Sequence, residues 1–127
     1  MKQQNTIKNR KELIYKNIKH SYDVVNDLFY AYRENSNVHS NILIGDFHLE
    51  LSLKGEITGI EILNASDVLS EYGISKSLLE HIDGVDLKVV TSNKLLIVFI
   101  IVHSHGKEAS ATITMNALES PIMEAIA

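Results

Sequence analysis

The chain contains no cysteine and a single proline, Pro121. Without cysteine there is no disulfide scaffold, no thiolate nucleophile and no cysteine metal ligand, and a reducing compartment is favoured. The scarcity of proline and the absence of low-complexity stretches leave no candidate for an interdomain linker. A chain of 127 residues is long enough for one hydrophobic core but not for two.

Long apolar runs are also absent. The longest, Leu95–Val102, has eight residues, whereas a helix that crosses a bilayer needs about 20. The N-terminus is polar and basic and lacks the apolar segment of a secretory signal. These observations predict a soluble protein of the cytoplasm with no membrane partner.

Charge is present but unevenly distributed. The net charge is −4; residues 1–20 carry six basic residues and one acidic residue, so the rest of the chain has a net charge of −9. This division predicts a basic N-terminal arm, residues 1–19, followed by a single domain, residues 20–127. Such an arm can contact nucleic acid or an acidic partner. The acidic body of the chain favours the alternative, a solvated segment or one that pairs with the protein's own acidic surface.

Alternating apolar and polar residues dominate from His20 onward. The clearest alternation places Phe47, Leu49, Leu51 and Leu53 on one side of a strand. A turn at residues 54–56 then leads to a partner strand over residues 57–63, in which Gly59 predicts a bulge or a close backbone approach. Three more strands are predicted over residues 85–92, 95–102 and 109–115, with connecting turns at residues 92–94 and 105–107.

Two short helices are predicted between these strands. Asn64 or Ser66 is suited to cap the first, which Gly73 would end. Ser77 and Glu80 have capping-box spacing for the second, which Gly84 would end. The sequence therefore predicts an α+β fold: a curled, mainly antiparallel sheet of six to eight strands, with two short helices inserted after the central hairpin.

The strand Leu95–Val102 is apolar on both faces. This pattern is typical of a central strand covered on both sides, or of a strand that reserves one face for a second subunit. Within the chain, the two short helices are the candidates to cover it; a homodimer is the other. The predicted oligomer interface is the alternate set Leu95, Ile97, Phe99 and Ile101.

Two blocks of residues resemble a family signature. The first is a Tyr-Asp pair followed by Asp-Leu and an aromatic strand: Tyr22, Asp23, Asp27, Leu28, Phe29 and Tyr30. The second is Gly55, Gly59, Ile60, Glu61, Ile62, Ala65 and Ser66. Together they cover residues 20–70 and resemble the uncharacterised, mostly prokaryotic family catalogued as domain of unknown function 2283. The resemblance implies a compact antiparallel β unit and supplies no catalytic residues.

Two sets of side chains are candidates for chemistry. Asp23, Asp27 and Glu61 would form a hard-cation site or an acid–base set if they converge; otherwise they cap turns and line a solvated strand. His103 and His105 lie on the same face of a strand end, a spacing compatible with zinc, with a further ligand needed from His48 or Glu50. The alternative is a pair of solvent-exposed imidazoles.

Tyr22, Tyr30 and Tyr32 are candidates for a stacking platform. Because Tyr30 and Tyr32 share a face with Leu28, core packing is the favoured interpretation.

No Walker loop, Gly-x-Ser-x-Gly elbow or His-Glu-x-x-His helix is present. The leading hypothesis is therefore a non-enzymatic, homo-oligomeric binding or accessory module that needs no cofactor. One alternative is a metal-binding or small hydrolytic protein that uses the Asp, Glu and His clusters. The other is nucleic-acid association through the basic arm.

Overall fold

The computed structural model describes residues 10–92 and 95–116. In these ranges the chain forms nine strands and two helices. Their bounds, in chain order, are β1 Arg10–Tyr15, β2 Lys19–Asp23, β3 Leu28–Tyr32, β4 Ser40–Ile44, β5 Phe47–Leu51, β6 Ile57–Ile62, α1 Ala65–Ser70, α2 Lys76–Leu79, β7 Gly84–Ser92, β8 Leu95–Ser104 and β9 Lys107–Asn116.

The strands form two sheets. The four-stranded sheet has the order β1-β7-β8-β9 and the five-stranded sheet the order β2-β3-β6-β5-β4. Every pairing among the described strands is antiparallel. The prediction of a mainly antiparallel β structure with two short helices is thus confirmed, but the single sheet that the sequence predicts is in fact two.

The chain passes from the first sheet to the second at Asn17. This residue has a positive φ of 50°, a conformation that asparagine tolerates better than most residues. Its backbone N–H donates to Asp86 Oδ1 at 2.7 Å, and the N–H of Ile18 donates to the carbonyl of Val85 at 2.8 Å. The corner between β1 and β2 is therefore held by the first residues of β7.

One hydrophobic core lies between the sheets and the helices. The five-stranded sheet contributes Phe29, Leu49 and Ile60 among others, the four-stranded sheet Leu87, Val98 and Ile100, and the helices Leu69 and Leu79. Because side chains alternate along a strand, burying one row of each strand leaves the other row on an outward face. The two outward faces are where the sheets differ most.

The first helix begins where the sequence predicts, and the second does not. Asn64 takes the N-cap position of α1 with a φ of 51°, but its side chain makes no capping hydrogen bond. Ser75, not Ser77, caps α2, because its hydroxyl accepts the N–H of Leu78 at 3.1 Å. Gly73 has a φ of 80°, which suits its predicted position after the first helix.

Part of the predicted basic arm belongs to the folded domain. Arg10–Tyr15 forms β1, an edge strand paired with β7, and Lys19–Asp23 forms β2. β1 was not predicted from the sequence, because its side chains are almost all exposed and show no apolar alternation. Its pairing with β7 uses backbone hydrogen bonds, which do not depend on side-chain type. Residues 1–9, 93–94 and 117–127, which include part of the predicted turn at residues 92–94, lie outside the described part of the chain.

Among the described residues, no helix has the length and apolar character needed to span a membrane.

Candidate functional site

The outward side of β8 carries a row of apolar side chains. Leu96, Val98, Ile100 and Val102 point into the core, whereas the alternate residues do not belong to it. We call these alternate residues the outer apolar row: Leu95, Ile97, Phe99 and Ile101. Leu95 is 42% exposed and the other three are half-buried. The row coincides with the oligomer interface that the sequence predicts.

Neighbouring strands extend this surface. Val90 of β7 lies opposite Ile97 and is buried although it is not part of the core cluster. Ile14 of β1, 49% exposed, lies on the same side of the sheet, opposite Lys88. The Nζ of Lys88 lies 5.4 Å from the ring centroid of Phe99 and 3.7 Å from Glu12 Oε1. The surface is therefore apolar at its centre and charged along β1 and β7.

Neither helix packs on this surface. The buried residues of α1 and α2, which include Leu69 and Leu79, belong to the core cluster on the opposite side of the four-stranded sheet. Tyr72, which follows α1, reaches the backbone of the edge strand β9, where its hydroxyl donates to the carbonyl of Thr112 at 3.0 Å. The helices named as candidates to cover the outer apolar row thus lie elsewhere.

A buried carboxylate lies beside the end of the row. Asp86, opposite Ile101, is 7% exposed. Its Oδ1 accepts the N–H of Asn17, and its Oδ2 accepts the Nε2–H of His103 at 2.9 Å. Lys16 Nζ lies 3.8 Å from the same oxygen. Burial raises the pKa of Asp86, but these hydrogen bonds and the nearby positive charges outweigh it, so that the pKa lies below its ordinary value.

Asp86 holds the His103 imidazole in a defined orientation. Because Nε2 bonds to a carboxylate, its partner nitrogen Nδ1 points away, 3.7 Å from Glu108 Oε1. A carboxylate that orients an imidazole in this way is a common feature of general bases and of metal-bound histidines. Sequence reasoning missed Asp86, although a lone aspartate within the apolar strand Val85-Asp-Leu-Lys-Val-Val90 was the available signal.

The structure does not gather the predicted metal ligands. Asp23 accepts the N–H of Asn26 at 3.1 Å and its side-chain amide at 2.8 Å, and thus caps its own turn. The ring of His105 packs edge-on against that of His81 at 5.9 Å rather than beside His103. Across residues 10–92 and 95–116, no group of three or more histidine, aspartate or glutamate side chains is arranged to hold a metal ion.

Asp27 instead joins the two blocks of the family resemblance. Its carboxylate accepts the Tyr22 hydroxyl at 2.5 Å, and the N–H and hydroxyl of Ser66 at 2.9 and 2.7 Å. Burial raises the pKa of Asp27, yet these donors lower it further than burial raises it. Burial and the bond to Asp27 raise the pKa of Tyr22 to about 12. The cluster ties the β2–β3 turn to the start of α1, which is a folding role.

The outward face of the five-stranded sheet carries a second cluster. The rings of Tyr30 and Tyr32 are stacked with centroids 4.8 Å apart and planes inclined by 20°. The Tyr30 hydroxyl donates to Glu50 Oε1 at 2.6 Å, and His48 Nδ1 lies 3.4 Å from Glu61 Oε1. We call these five half-buried residues the tyrosine–glutamate cluster: Tyr30, Tyr32, His48, Glu50 and Glu61. Core packing of Tyr30 and Tyr32, the favoured prediction, is wrong, because Phe29 and Ala31 take the inward positions.

Gly59 makes this cluster possible. It lies between Tyr32 of β3 and Glu50 of β5 in the register of the sheet. A Cβ atom at this position would overlap Glu50 Oε1 and lie 3.3 Å from both the carbonyl of Ala31 and the Cβ of Tyr32. The register shifts at Glu50 and Leu51, so the bulge and the close approach predicted at Gly59 are both present.

Two grooves indent the surface of the described residues. One, of about 460 Å³, runs between β1, β7 and the β5–β6 turn and includes Lys54, Glu56 and Thr91 in its lining. The other, of about 420 Å³, lies between β2 and α2 and includes His20, Glu80 and His81. Burial lowers the pKa of His20. Tyr22, a candidate for the stacking platform, lines the second groove, whereas none of the predicted metal ligands or interface residues lines either one.

Comparison of the chain with known proteins gave no match to a family model, to a curated protein or to a solved structure. The resemblance to domain of unknown function 2283 therefore stays a prediction, and the geometry of the described residues carries the argument for function.

Proposed function

We propose that this protein is a non-enzymatic binding or accessory module that works as a homodimer, in which the outer apolar row of one copy packs against that of a second. The observation that carries the proposal is the outward position of Leu95, Ile97, Phe99 and Ile101 on a strand whose other face is already buried. Rows of apolar side chains that lie outside a chain's own core are typical of protein–protein contacts.

The surroundings of the row support a second copy as its partner. The border carries both signs of charge: Lys16 lies beside Asp86 and Lys88 beside Glu12, and Glu108 lies beside His103. A two-fold interface brings a surface onto itself, so a border of mixed sign allows each charge to meet its opposite.

The test is the mass of the native protein by light scattering coupled to size exclusion, over a range of concentrations. We expect twice the monomer mass for the natural chain. Phe99→Glu places a charge at the centre of the row and should raise the dimer dissociation constant by about tenfold or more.

The matched control is Leu43→Glu. Leu43 is 66% exposed and faces outward from the edge strand β4 of the other sheet, so the same change there should leave the mass unchanged. A natural chain that is monomeric at every concentration would contradict the proposal, as would equal effects of the two substitutions.

A second candidate function rests on Asp86 and His103. The oriented imidazole with Glu108 beside its Nδ1 is suited to accept a proton, which supports the hydrolytic alternative. Elemental analysis of the same chromatographic peak, and hydrolysis of an activated ester by the natural chain and by His103→Gln, test it. Activity that His103→Gln retains would remove this support.

Several basic residues in the described part of the basic segment already contact acidic residues of the protein, which weakens the case for nucleic-acid binding. Arg10 lies 3.0 Å from Glu12, and Lys19 lies 3.9 Å from Glu34. Together with Lys16 and Asp86, these contacts support the alternative in which the segment pairs with the protein's own acidic surface. Replacement of Lys16 and Lys19 by glutamine should accordingly leave DNA and RNA binding unchanged in a gel-shift assay.

A further inference from the structure

The two glutamates of the tyrosine–glutamate cluster have no lysine or arginine partner among the described residues. Glu50 accepts the Tyr30 hydroxyl and Glu61 contacts His48; within residues 10–92 and 95–116, neither forms an ion pair with lysine or arginine. Lys19, opposite Tyr32, lies within ion-pair distance of Glu34. The outward face thus concentrates two negative charges beside an aromatic pair.

The titration of Tyr30 agrees with this charge distribution. Its pKa is raised above the ordinary value by burial, then by the hydrogen bond to Glu50 and the charges of Glu50 and Glu61. Burial opposes a charge of either sign, but the contributions of Glu50 and Glu61 reflect a negative potential, and this potential favours a positive charge.

The aromatic pair adds a second attraction for a cation. Tyr30 and Tyr32 are stacked and half-buried, so their rings form part of the outer surface. The face of a tyrosine ring attracts a cation, and the attraction grows when water is partly excluded.

The same chain contains a complete example of this chemistry elsewhere. The guanidinium of Arg33 lies 4.0 Å from the ring centroid of Tyr15 and 3.8 Å from Glu56 Oε1. The tyrosine–glutamate cluster has the rings and the carboxylates but no guanidinium.

We propose that the tyrosine–glutamate cluster binds the guanidinium group of an arginine side chain on a partner protein. Arginine suits the cluster better than lysine, because its planar group stacks on tyrosine rings and reaches carboxylates through several N–H donors at once. This surface lies on the other sheet from the outer apolar row, so the proposal does not depend on self-association.

The experiment is a titration of the ¹⁵N-labelled full chain with N-acetyl-arginine amide, followed by amide chemical shifts. N-acetyl-lysine amide and sodium chloride at matched ionic strength are the comparison probes. We expect saturable shifts at Tyr30, Tyr32 and Gly59 with the arginine probe at millimolar concentrations, and weaker ones with lysine. Equal shifts with all three probes, or shifts that map elsewhere, would overturn the proposal.

The decisive variant is the double change Glu50→Gln and Glu61→Gln. Glutamine keeps an oxygen for the Tyr30 hydroxyl and for His48, so the local contacts survive while two charges are removed. The arginine probe should bind about tenfold more weakly. The control, Glu71→Gln with Glu80→Gln, removes two exposed charges elsewhere and should leave the affinity unchanged. Identical affinities in the two double variants would overturn the proposal.

A further variant keeps the test decisive if the double change disturbs the fold. Tyr32→Leu removes one ring of the stack, and it should abolish the preference for the arginine probe over the lysine probe. A preference that survives this change would show that the rings do not bind the cation and would refute the proposal.

Discussion

The outward faces of the two sheets differ in what their central strands carry. On the four-stranded sheet, β8 presents Ile97, Phe99 and Ile101, with Val90 beside them on β7. On the five-stranded sheet, β6 presents Gly59 and Glu61 at the corresponding central position, flanked by tyrosines and a histidine. The inward faces, by contrast, are both apolar and share one core.

The difference shows that the outward side chains of a sheet can find their partners within the same face or need them from another molecule. The five-stranded sheet satisfies its outward side chains with one another, through a tyrosine hydroxyl on a carboxylate, a histidine beside a carboxylate and a pair of stacked tyrosine rings. The outer apolar row has no polar atoms to satisfy, and further burial of its side chains requires another surface. We therefore look for a second copy of the chain at one face and for a polar ligand at the other.

The largest expected effect is a difference in unfolding free energy between substitutions on the two faces of β8. Ile100 and Ile101 are adjacent and chemically identical, but only Ile100 belongs to the core. We expect Ile100→Ala to lower the free energy of unfolding by about 2–5 kcal/mol, and Ile101→Ala to lower it much less in dilute solution. The measurement is urea unfolding at two protein concentrations.

The dependence on protein concentration makes this prediction sharper. If a second copy covers Ile101, the cost of Ile101→Ala in unfolding free energy should grow as the protein concentration rises. The cost of Ile100→Ala should stay the same. Equal costs for the two substitutions in dilute solution would mean that the outer row is as well buried as the core.

The next effect concerns the glycine of the other face. Gly59→Ala places a Cβ against Glu50 Oε1 and tightly against the β3 backbone, so we expect a loss of about 1–3 kcal/mol from overpacking. Repeating the change in a Glu50→Ala background should reduce the loss, because the nearest atom is then absent. The same loss in both backgrounds would mean that the clash with β3 alone causes the destabilisation, and that Glu50 plays no part in it. Urea unfolding provides all four values.

The smallest effect is a pH dependence at the border of the outer apolar row. The pKa of Asp86 is lowered in the folded protein from its ordinary value of 3.8. A carboxylate of this kind stabilises the fold above its unfolded-state pKa and loses that contribution as the pH falls through the folded-state pKa. As the pH falls below about 4, the free energy of unfolding should therefore fall less steeply for Asp86→Asn than for the natural chain.

The expected difference is about 1 kcal/mol, the scale of a single hydrogen bond. Unfolding by urea at a series of pH values measures it. Asp67→Asn, at an exposed position in α1, is the control and should keep the natural slope. If Asp86→Asn has the same slope as the natural chain, the pKa of Asp86 is not lowered in the folded protein.

Much of the strand layout was predictable from local pattern. The alternation of β5 and the uniformly apolar β8 identify these strands, and the glycines at the turns limit the connections. β1 was not predictable, because an exposed edge strand is held by backbone pairing and leaves no mark in the hydropathy of its side chains. The cap of α2 was misplaced by two residues, since Ser75 and Ser77 are chemically equivalent in sequence.

The candidate sites were less predictable than the strands. The outer apolar row followed from its two-sided hydrophobicity, but the contacts of Glu50 with Tyr30, and of Asp86 with His103, join residues 20 and 17 positions apart. Such contacts depend on strand order and register, which no local pattern specifies. The predicted metal ligands failed to gather for the same reason, as each found a partner nearer to it in the fold.

By itself, the sequence determined that this chain forms a mainly antiparallel β structure with two short helices. It also determined that one strand, β8, carries apolar residues on both of its faces. These properties depend on side-chain periodicity and turn residues, which act over a few positions. Only the tertiary structure decided that the strands divide into two sheets at Asn17, that the helices pack on the core side, and that the outer apolar row and the tyrosine–glutamate cluster face outward on different sheets. Those outcomes depend on which distant strands pair, and pairing is settled by the burial of the whole core at once.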